Sequence, residues 1–281
     1  MQGDPKDKPM TLKKLRKMVE AGQPIAALTC YDATTAQWLA RAGVHVLLVG
    51  DSAGQVILGY DSSIHASLEL LLQLTGAVKR GAPNAFVMGD MPFMSYQADD
   101  AEAIHNAGRF LVEAGADAVK LEVDARYGEL VAKMSRAGIP VVAHIGWKPQ
   151  MVRYAGIRTA KIVGRTAAEV RDLVEQAELM EARGAVMLLV EQTPAEVAEQ
   201  IVRAVRIPVI GCGAGPACHG QVVVLQDLLG MSDRSPSFAP VIANLGDHIR
   251  DAARQWVDML EKGFPTEHPY GMDPGEADKI H

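Results

Sequence analysis

Short, continuous apolar runs alternate along the chain with amphipathic segments. Seven runs predict strands, and they end near Thr29, Asp51, Asp90, Glu122, His144, Glu191 and Gly215. Continuous apolar runs indicate strands that are buried on both faces, as in a parallel sheet covered by helices. Between the strands, apolar residues recur three and four positions apart, which predicts helices over residues 33–42, 67–79, 101–114, 168–183 and 194–204.

This alternation favours a (β/α)8 TIM barrel, and an open doubly wound sheet is the alternative fold. The eighth strand is weak in the sequence, and we place it near residues 237–239. Residues 10–21 predict an extra N-terminal helix that is capped by Thr11 and closes the bottom of the barrel. Residues 244–262 predict a C-terminal helix.

The remaining segments lack periodicity. Residues 148–166 are expected to form a loop that covers the active site, because long loops in barrels usually have that role. Residues 1–9 and 265–281 are expected to be flexible tails. We expect one domain over residues 1–281, because no linker or low-complexity block interrupts the chain.

Composition narrows the classes of function. A length of 281 residues suits one α/β barrel, and a formal net charge of −6 disfavours nucleic acid as a partner. The apolar runs are too short to span a bilayer, so we expect no membrane association. The three cysteines are odd in number and lack metal-ligand spacing, which predicts no disulfide framework and favours a cytoplasmic protein.

The polar strand ends carry the candidate chemistry, because active sites of barrels lie where the carboxyl ends of the strands meet. The side chains expected there are Asp51, Asp90, Lys120, Glu122, His144 and Glu191. Clustered carboxylates repel each other unless a cation lies among them, and oxygen ligands suit Mg²⁺. The pattern predicts a Mg²⁺ site that converts a small 2-oxo acid into an enolate, with Lys120 neutralising charge and one carboxylate acting as the base.

Several of these signals also have purely structural interpretations. A single Asp after a strand is often a helix cap or a loop residue. The glycines of residues 211–215 could cradle an anion or simply form a tight turn. Cys30 and Cys212 are interpreted as core residues, because both lie in apolar strands. Tyr31 and Tyr96 follow strand ends and could belong to the pocket, the rim or the core.

At these positions the sequence resembles the ketopantoate hydroxymethyltransferase family over nearly the whole chain. The matching stretches are LTCYDATTA at 28–36, VGDSAG at 49–54, LGYDSS at 58–63, KRGAPNAFVMGDMPFMSYQ at 79–97, GADAVKLE at 115–122, HIGWKPQ at 144–150, IPVIGCGAG at 207–215 and GQVVVLQDLLGM at 220–231. The resemblance implies a barrel of the phosphoenolpyruvate mutase/isocitrate lyase-like group. It also implies transfer of a hydroxymethyl group from 5,10-methylenetetrahydrofolate to 3-methyl-2-oxobutanoate, giving 2-dehydropantoate on the route to pantothenate.

The resemblance also implies roles for the matching residues and an assembly. Asp51 and Asp90 match metal-binding carboxylates that contact the substrate, and Glu122 matches the carboxylate that holds a metal-bound water. Ser52 and Lys120 match groups that hold the carboxylate and keto region of the substrate. Family members form large homo-oligomers, so the resemblance implies a homo-oligomer, and a decamer in particular.

The resemblance implies that Glu191 is the general base that removes the C3 proton and that His144 lies beside the substrate. The chain departs from the usual family residues at Ala53, Gln55, Ile64, His65, Val123, Asp124, Gln192, His219 and Gln226. These departures keep open a lyase or aldolase of the same superfamily that acts on another 2-oxo acid. A non-catalytic paralogue is a third hypothesis. The hydroxymethyltransferase is favoured, because all matching carboxylates are kept and the KKCGH-type and EDK-type motifs of related enzymes are absent.

Overall fold

The computed structural model of the chain describes residues 8–154, 156, 161–233, 235–263 and 268–280. Parallel strands form one closed barrel in sequence order, and the last strand pairs with the first. The strands are β1 Ile25–Thr29, β2 Val46–Val49, β3 Phe86–Asp90, β4 Ala118–Glu122, β5 Val141–Gly146, β6 Met187–Glu191, β7 Val209–Cys212 and β8 Gly220–Val223. The predicted TIM barrel is confirmed, and the open sheet is wrong.

Helices surround and close this barrel. They are α1 Leu12–Glu20, α2 Ala33–Arg41, α3 Ala53–Val56, α4 Leu68–Gly81, α5 Asp100–Val112, α6 Gly128–Arg136, α7 Ala167–Ala182, α8 Ala195–Ala204, α9 Leu225–Leu228 and α10 Leu245–Glu261. The helices predicted from apolar spacing, including the extra helices at each end of the chain, are therefore confirmed. Within the described ranges, every helix is too short or too polar to cross a membrane.

The N-terminal helix α1 closes the bottom of the barrel, as the sequence predicts. It begins where the side chain of Thr11 accepts a hydrogen bond from the backbone N–H of Lys14 at 3.3 Å, which satisfies one of the free N–H groups of the first turn. Its fully buried Leu15 then packs among side chains of the barrel interior, including Ile25 and Val46. The lower end of the interior is thus filled by protein.

The core has two layers, because most strands, including β2 to β5, are buried on both faces. The inner layer fills the barrel with side chains such as Phe86, Met88 and Met187. The outer layer lies between the strands and the surrounding helices and includes Leu47 and Phe110. Burying each such side chain contributes about 1.5–3 kcal/mol to stability. This packing fixes the strand ends rigidly at the mouth.

The eighth strand is not where the sequence analysis placed it. It spans Gly220–Val223 instead of residues 237–239, and only residues 213–219 connect it to β7. Parallel strands usually need a crossover of a dozen or more residues, so a strand this close to the previous one was not expected. Gly213 permits the tight link, because its φ of +66° is a conformation that side-chain-bearing residues rarely adopt.

Other expectations are tested only in part. The predicted covering loop includes residues 155 and 157–160, and the predicted tails include residues 1–7, 265–267 and 281, all of which lie outside the described residues. The described start of the loop forms a short 3-10 helix, Pro149–Met151, that reaches the mouth of the barrel. The flexibility of the two tails stays a prediction.

Candidate active site

The residues chosen from the sequence line one cavity of about 580 Å³ at the carboxyl ends of the strands. They are Asp51, Ser52, Asp90, Lys120, Glu122, His144 and Glu191. Strand register brings them together, because Asp90 is the partner of Lys120 and Glu122 is the partner of His144 in neighbouring strands. The structure therefore places all of them at one mouth, while their individual roles stay predictions.

A buried ion pair lies at the centre of the cluster. The Nζ atom of Lys120 is 2.8 Å from Oδ1 of Asp90, and both side chains are almost fully buried. The backbone N–H of Asp51 donates to Oδ2 of Asp90 at 2.9 Å, which joins the ends of β2 and β3. Burial opposes the charge on Lys120, but Asp90, Asp51 and Glu122 together raise its pKa above the usual value. Lys120 therefore remains a cation at neutral pH.

The base proposed from the sequence lies beside the histidine. Oε2 of Glu191 is 3.3 Å from Nε2 of His144, yet that nitrogen lacks a partner with hydrogen-bond geometry among the described residues. Burial raises the pKa of Glu191 to about 8. Burial and the charge on Lys120 lower the pKa of His144 well below its usual value, so the imidazole is neutral. The ionised form of Glu191 is therefore a stronger base than an exposed carboxylate, and the neutral imidazole lies beside it.

The pKa values of two neighbouring carboxyl groups are also raised. Burial raises the pKa of Asp90 to about 7, although Lys120 lowers it, and Asp51 raises it further. Burial raises the pKa of Glu122 well above its usual value. Oε1 of Glu122 has no hydrogen-bond partner among the described residues. These carboxyl groups lie close together, and among the described residues Lys120 is the one buried cation beside them.

A residue that was not predicted from the sequence connects these carboxylates through hydrogen bonds. Gln150 is 2% exposed, and its side-chain amide donates to Oδ2 of Asp51 and to the carbonyl of Met91, each at 3.1 Å. Its backbone N–H donates to Oε2 of Glu122 at 3.0 Å. The hydroxyl of Tyr96 donates to Oε1 of Gln150 at 2.9 Å, which fixes the orientation of the amide. The feature of the sequence that could have revealed Gln150 is its place as a polar residue just beyond β5, in the HIGWKPQ stretch.

The donor set fits a magnesium ion. Among the described residues, no group of three or more His, Cys, Asp or Glu side chains is already arranged around one point. Mg²⁺ needs only one or two protein carboxylates and keeps several waters. Asp51 and Asp90 supply such a pair, and the unpartnered oxygen of Glu122 supplies an acceptor for a bound water.

Several alternatives from the sequence are decided by the structure. Tyr31 is buried, and its hydroxyl lies 2.8 Å from the hydroxyl of Ser52, while Tyr96 is buried in the network around Gln150. Cys212 is not simply a core residue, because it lines the cavity at the end of β7. The φ of +66° at Gly213 and the ring of Phe238 beside it fit the tight-turn interpretation of the glycine run.

The departing residues divide between the cavity and the rest of the barrel. Gln55, Gln192 and Gln226 line the cavity, so they can contact a ligand. His219 lies just before β8, at the amino end of the barrel, where its Nδ1 accepts from the N–H of Val209 at 3.0 Å. Burial lowers its pKa, and its position is remote from the cavity.

Comparison with known proteins identifies the family. The family model described as ketopantoate hydroxymethyltransferase matches residues 9–267. The chain belongs to the ketopantoate hydroxymethyltransferase family. A 3-methyl-2-oxobutanoate hydroxymethyltransferase from Carboxydothermus hydrogenoformans is 44% identical, over 97% of this chain and 99% of its own length. One from Pyrobaculum aerophilum is 43% identical, over 92% and 98%. The family assignment from the sequence is confirmed.

Solved structures with other names than ketopantoate hydroxymethyltransferase have a similar fold. A phosphoenolpyruvate phosphomutase from Streptomyces platensis superposes with a TM-score of 0.61 at 14% identity, over 90% of this chain and 88% of the other. A 2,3-dimethylmalate lyase of the PEP mutase/isocitrate lyase superfamily has a TM-score of 0.58 at 15% identity, over 95% and 93%. At such low identity these similarities support the fold alone.

Proposed function

We propose that the chain transfers a hydroxymethyl group from 5,10-methylenetetrahydrofolate to 3-methyl-2-oxobutanoate, forming 2-dehydropantoate in pantothenate biosynthesis. The observation that carries the proposal is a single cavity, in a chain of this family, that holds a carboxylate base beside a buried cation and paired aspartates. In the balanced reaction, the C3–H bond of the oxo acid is replaced by a bond to the methylene carbon. One water supplies the hydroxyl oxygen, and tetrahydrofolate is released.

The proposed metal is Mg²⁺. Asp51 and Asp90 would hold it, and Glu122 would hold one of its waters. The assignment is supported by the shared cavity and by the neighbouring ends of β2 and β3, where the backbone N–H of Asp51 donates to Asp90. When bound, Mg²⁺ supplies a Lewis acid that stabilises negative charge on the keto oxygen. The buried Lys120 ammonium lies beside Asp90 and would add a fixed positive charge near the proposed metal.

Glu191 would remove the proton from C3 of the oxo acid. Its raised pKa, about 8, makes it a stronger base than an exposed carboxylate, and a catalytic pKa near the working pH is favourable. The neutral His144 beside it would orient the carboxylate and the substrate. Ser52, held by the hydroxyl of Tyr31, would donate to the substrate carboxylate.

A second candidate is a related lyase or aldolase that acts on another 2-oxo acid. It is favoured by Gln55, Gln192 and Gln226, because these departing residues all line the cavity. Gln192 has a φ of 48°, which is uncommon for a residue with a side chain and often marks a functional position. Such amides could recognise a more polar substrate than 3-methyl-2-oxobutanoate.

We also infer a cytoplasmic homo-oligomer, with a decamer as the family expectation. The described cysteines Cys30, Cys212 and Cys218 are all free thiols, which supports a reducing compartment. Helix α10 has no buried residue and exposes Ile249, among other large apolar side chains, and such surfaces are typical of subunit contacts. Light scattering coupled to size exclusion tests this: a monomer at micromolar concentration would contradict it.

The experiment that tests the proposed chemistry is hydrogen exchange without the folate. The protein is incubated with Mg²⁺ and 3-methyl-2-oxobutanoate in D₂O, and the C3 proton is followed by NMR. We expect metal-dependent exchange, followed by 2-dehydropantoate when methylenetetrahydrofolate is added. Exchange with a different 2-oxo acid, and none with this one, would favour the second candidate.

A further inference from the structure

The cavity has a second half that the proposed chemistry does not use. The carboxylates and Lys120 come from β2 to β6, whereas β7, β8 and the segment after α9 form the opposite wall. We call this wall the β8 side of the cavity; its main residues are Val223, Val224, Gln226, Asp227, Met231 and Phe238. A five-carbon oxo acid fills only part of about 580 Å³, a volume ordinary for much larger ligands.

One carboxylate on this wall is buried, and its side chain lacks a partner among the described residues. Asp227 is 7% exposed and borders the cavity, and its side chain makes no hydrogen bond or ion pair with any described residue. Polar groups that are mostly buried usually have a hydrogen-bond partner, and a ligand in the cavity can supply one. Beside it in sequence, Oε1 of Gln226 is buried and also lacks a partner among the described residues. The carboxylate of Asp227 and Oε1 of Gln226 are therefore two neighbouring acceptors that lack donors among the described residues.

The surroundings of these acceptors are apolar and favour a flat ligand. The ring of Phe238 is held against the backbone of Gly213, where an added Cβ would approach the ring to 2.6 Å. Val224 and Met231 border the same space. Apolar walls with a few placed polar groups are the usual construction of a site for a heterocyclic ligand. A metal ion would instead need several oxygen ligands together.

We propose that the β8 side of the cavity binds the pterin ring of the reduced folate, with Asp227 accepting its ring N–H and 2-amino N–H groups. This inference rests on the proposed function, because it takes the carrier to be a folate. An aminopyrimidinone edge presents two adjacent N–H donors, which match the two oxygens of one carboxylate. Phe238 contacts a face of the ring, and the methylene group points toward the carboxylate half, where the oxo acid is deprotonated.

The test compares two stable, flat analogues: 5,8-dideazafolate and the same compound with a methyl group replacing the 2-amino group. Calorimetry with the Mg²⁺-loaded protein measures both affinities. Loss of a hydrogen bond to a charged group weakens binding about 10-fold or more. We expect that loss for the methyl compound in the unchanged protein and a much smaller difference in Asp227→Asn. The ratio of the two affinities is not moved by a merely structural role.

Two further variants complete the design. Asp233→Asn is the matched control, because Asp233 is an exposed acid on the same segment, and it should keep the full ratio. Phe238→Ala should weaken both analogues equally, and it provides an independent test if Asp227→Asn does not fold. An unchanged ratio in Asp227→Asn, or unchanged affinities in Phe238→Ala, would overturn the proposed subsite.

The outcomes separate this inference from the proposed function. If the unchanged protein exchanges the C3 proton but binds neither analogue, the folate subsite is wrong and the deprotonation chemistry stands. If both analogues bind and C3 exchange is absent, the assigned oxo acid is wrong. The proposed subsite is then judged by the ratio of the two analogue affinities alone.

Discussion

Replacing Gln150 by Ala should weaken metal binding without removing any proposed metal ligand. The change deletes the donors to Asp51 and to the carbonyl of Met91 and leaves both acceptors buried. Loss of a bond to a charged group and one orphaned carbonyl together cost about 3–5 kcal/mol of stability. Removing such a partner of a metal ligand typically lowers metal affinity about 10–100-fold.

Titration with Mn²⁺, followed by electron paramagnetic resonance, measures this affinity, and a thermal melt measures stability. Gln97→Ala is the matched control, because the amide of Gln97 reaches Oε1 of Gln150 at 3.2 Å but contacts no carboxylate in the described part of the chain. It should lose little affinity. A folded Gln150→Ala protein that binds Mn²⁺ within about twofold of the unchanged protein would refute the positioning role.

The remaining predictions concern the base, the ligands and the barrel floor. Because the pKa of Glu191 is about 8 and only its ionised form accepts a proton, C3 exchange measured by NMR should rise about tenfold per pH unit below 8 and then level off; a flat profile from pH 6 to 8 would contradict this. Glu191→Gln should abolish exchange. The melting temperature of this variant, relative to that of the unchanged protein, should rise as the pH goes from 4.5 to 8. The unchanged protein loses stability over that window, because the pKa of its Glu191 is raised in the folded state. Asp51→Asn and Asp90→Asn should each weaken Mg²⁺ binding in calorimetry, and full affinity in both would remove the metal assignment. Leu15→Ala should cost about 2–5 kcal/mol in denaturant unfolding with metal affinity unchanged, and a loss below about 1 kcal/mol would show that α1 does not stabilise the barrel.

The sequence was most informative where one rule applied to every strand. The barrel and the meeting of Asp51, Asp90 and Glu191 follow from continuous apolar runs and from the rule that strand ends share a mouth. These long-range positions could be predicted because a closed parallel barrel leaves no choice of neighbours. The strand-end carboxylates predicted metal and enolate chemistry, and the resemblance supplied the particular reaction, which periodicity alone does not contain.

The misplaced eighth strand has a physical origin, which is that short segments carry little pattern. Strand β8 has four residues and follows β7 without a helix, so neither periodicity nor length revealed it. Because the strand was misplaced, Asp227, which lies shortly after it, was never considered as a strand-end residue. Gln150 was missed for a different reason: its importance lies in hydrogen bonds to residues distant in sequence, and no local rule predicts those.

The neighbouring carboxyl groups at the mouth of the barrel should make metal binding depend on pH. With pKa values raised to about 7 for Asp90 and well above normal for Glu122, the metal-free protein stores protons where the cation would lie. Metal ligands must be deprotonated, so each ion that enters expels protons into the solvent. The heat of Mg²⁺ binding should therefore vary with the ionisation enthalpy of the buffer. Lowering the pH should likewise weaken Mg²⁺ binding, because the carboxyl groups around the proposed metal site are then more fully protonated.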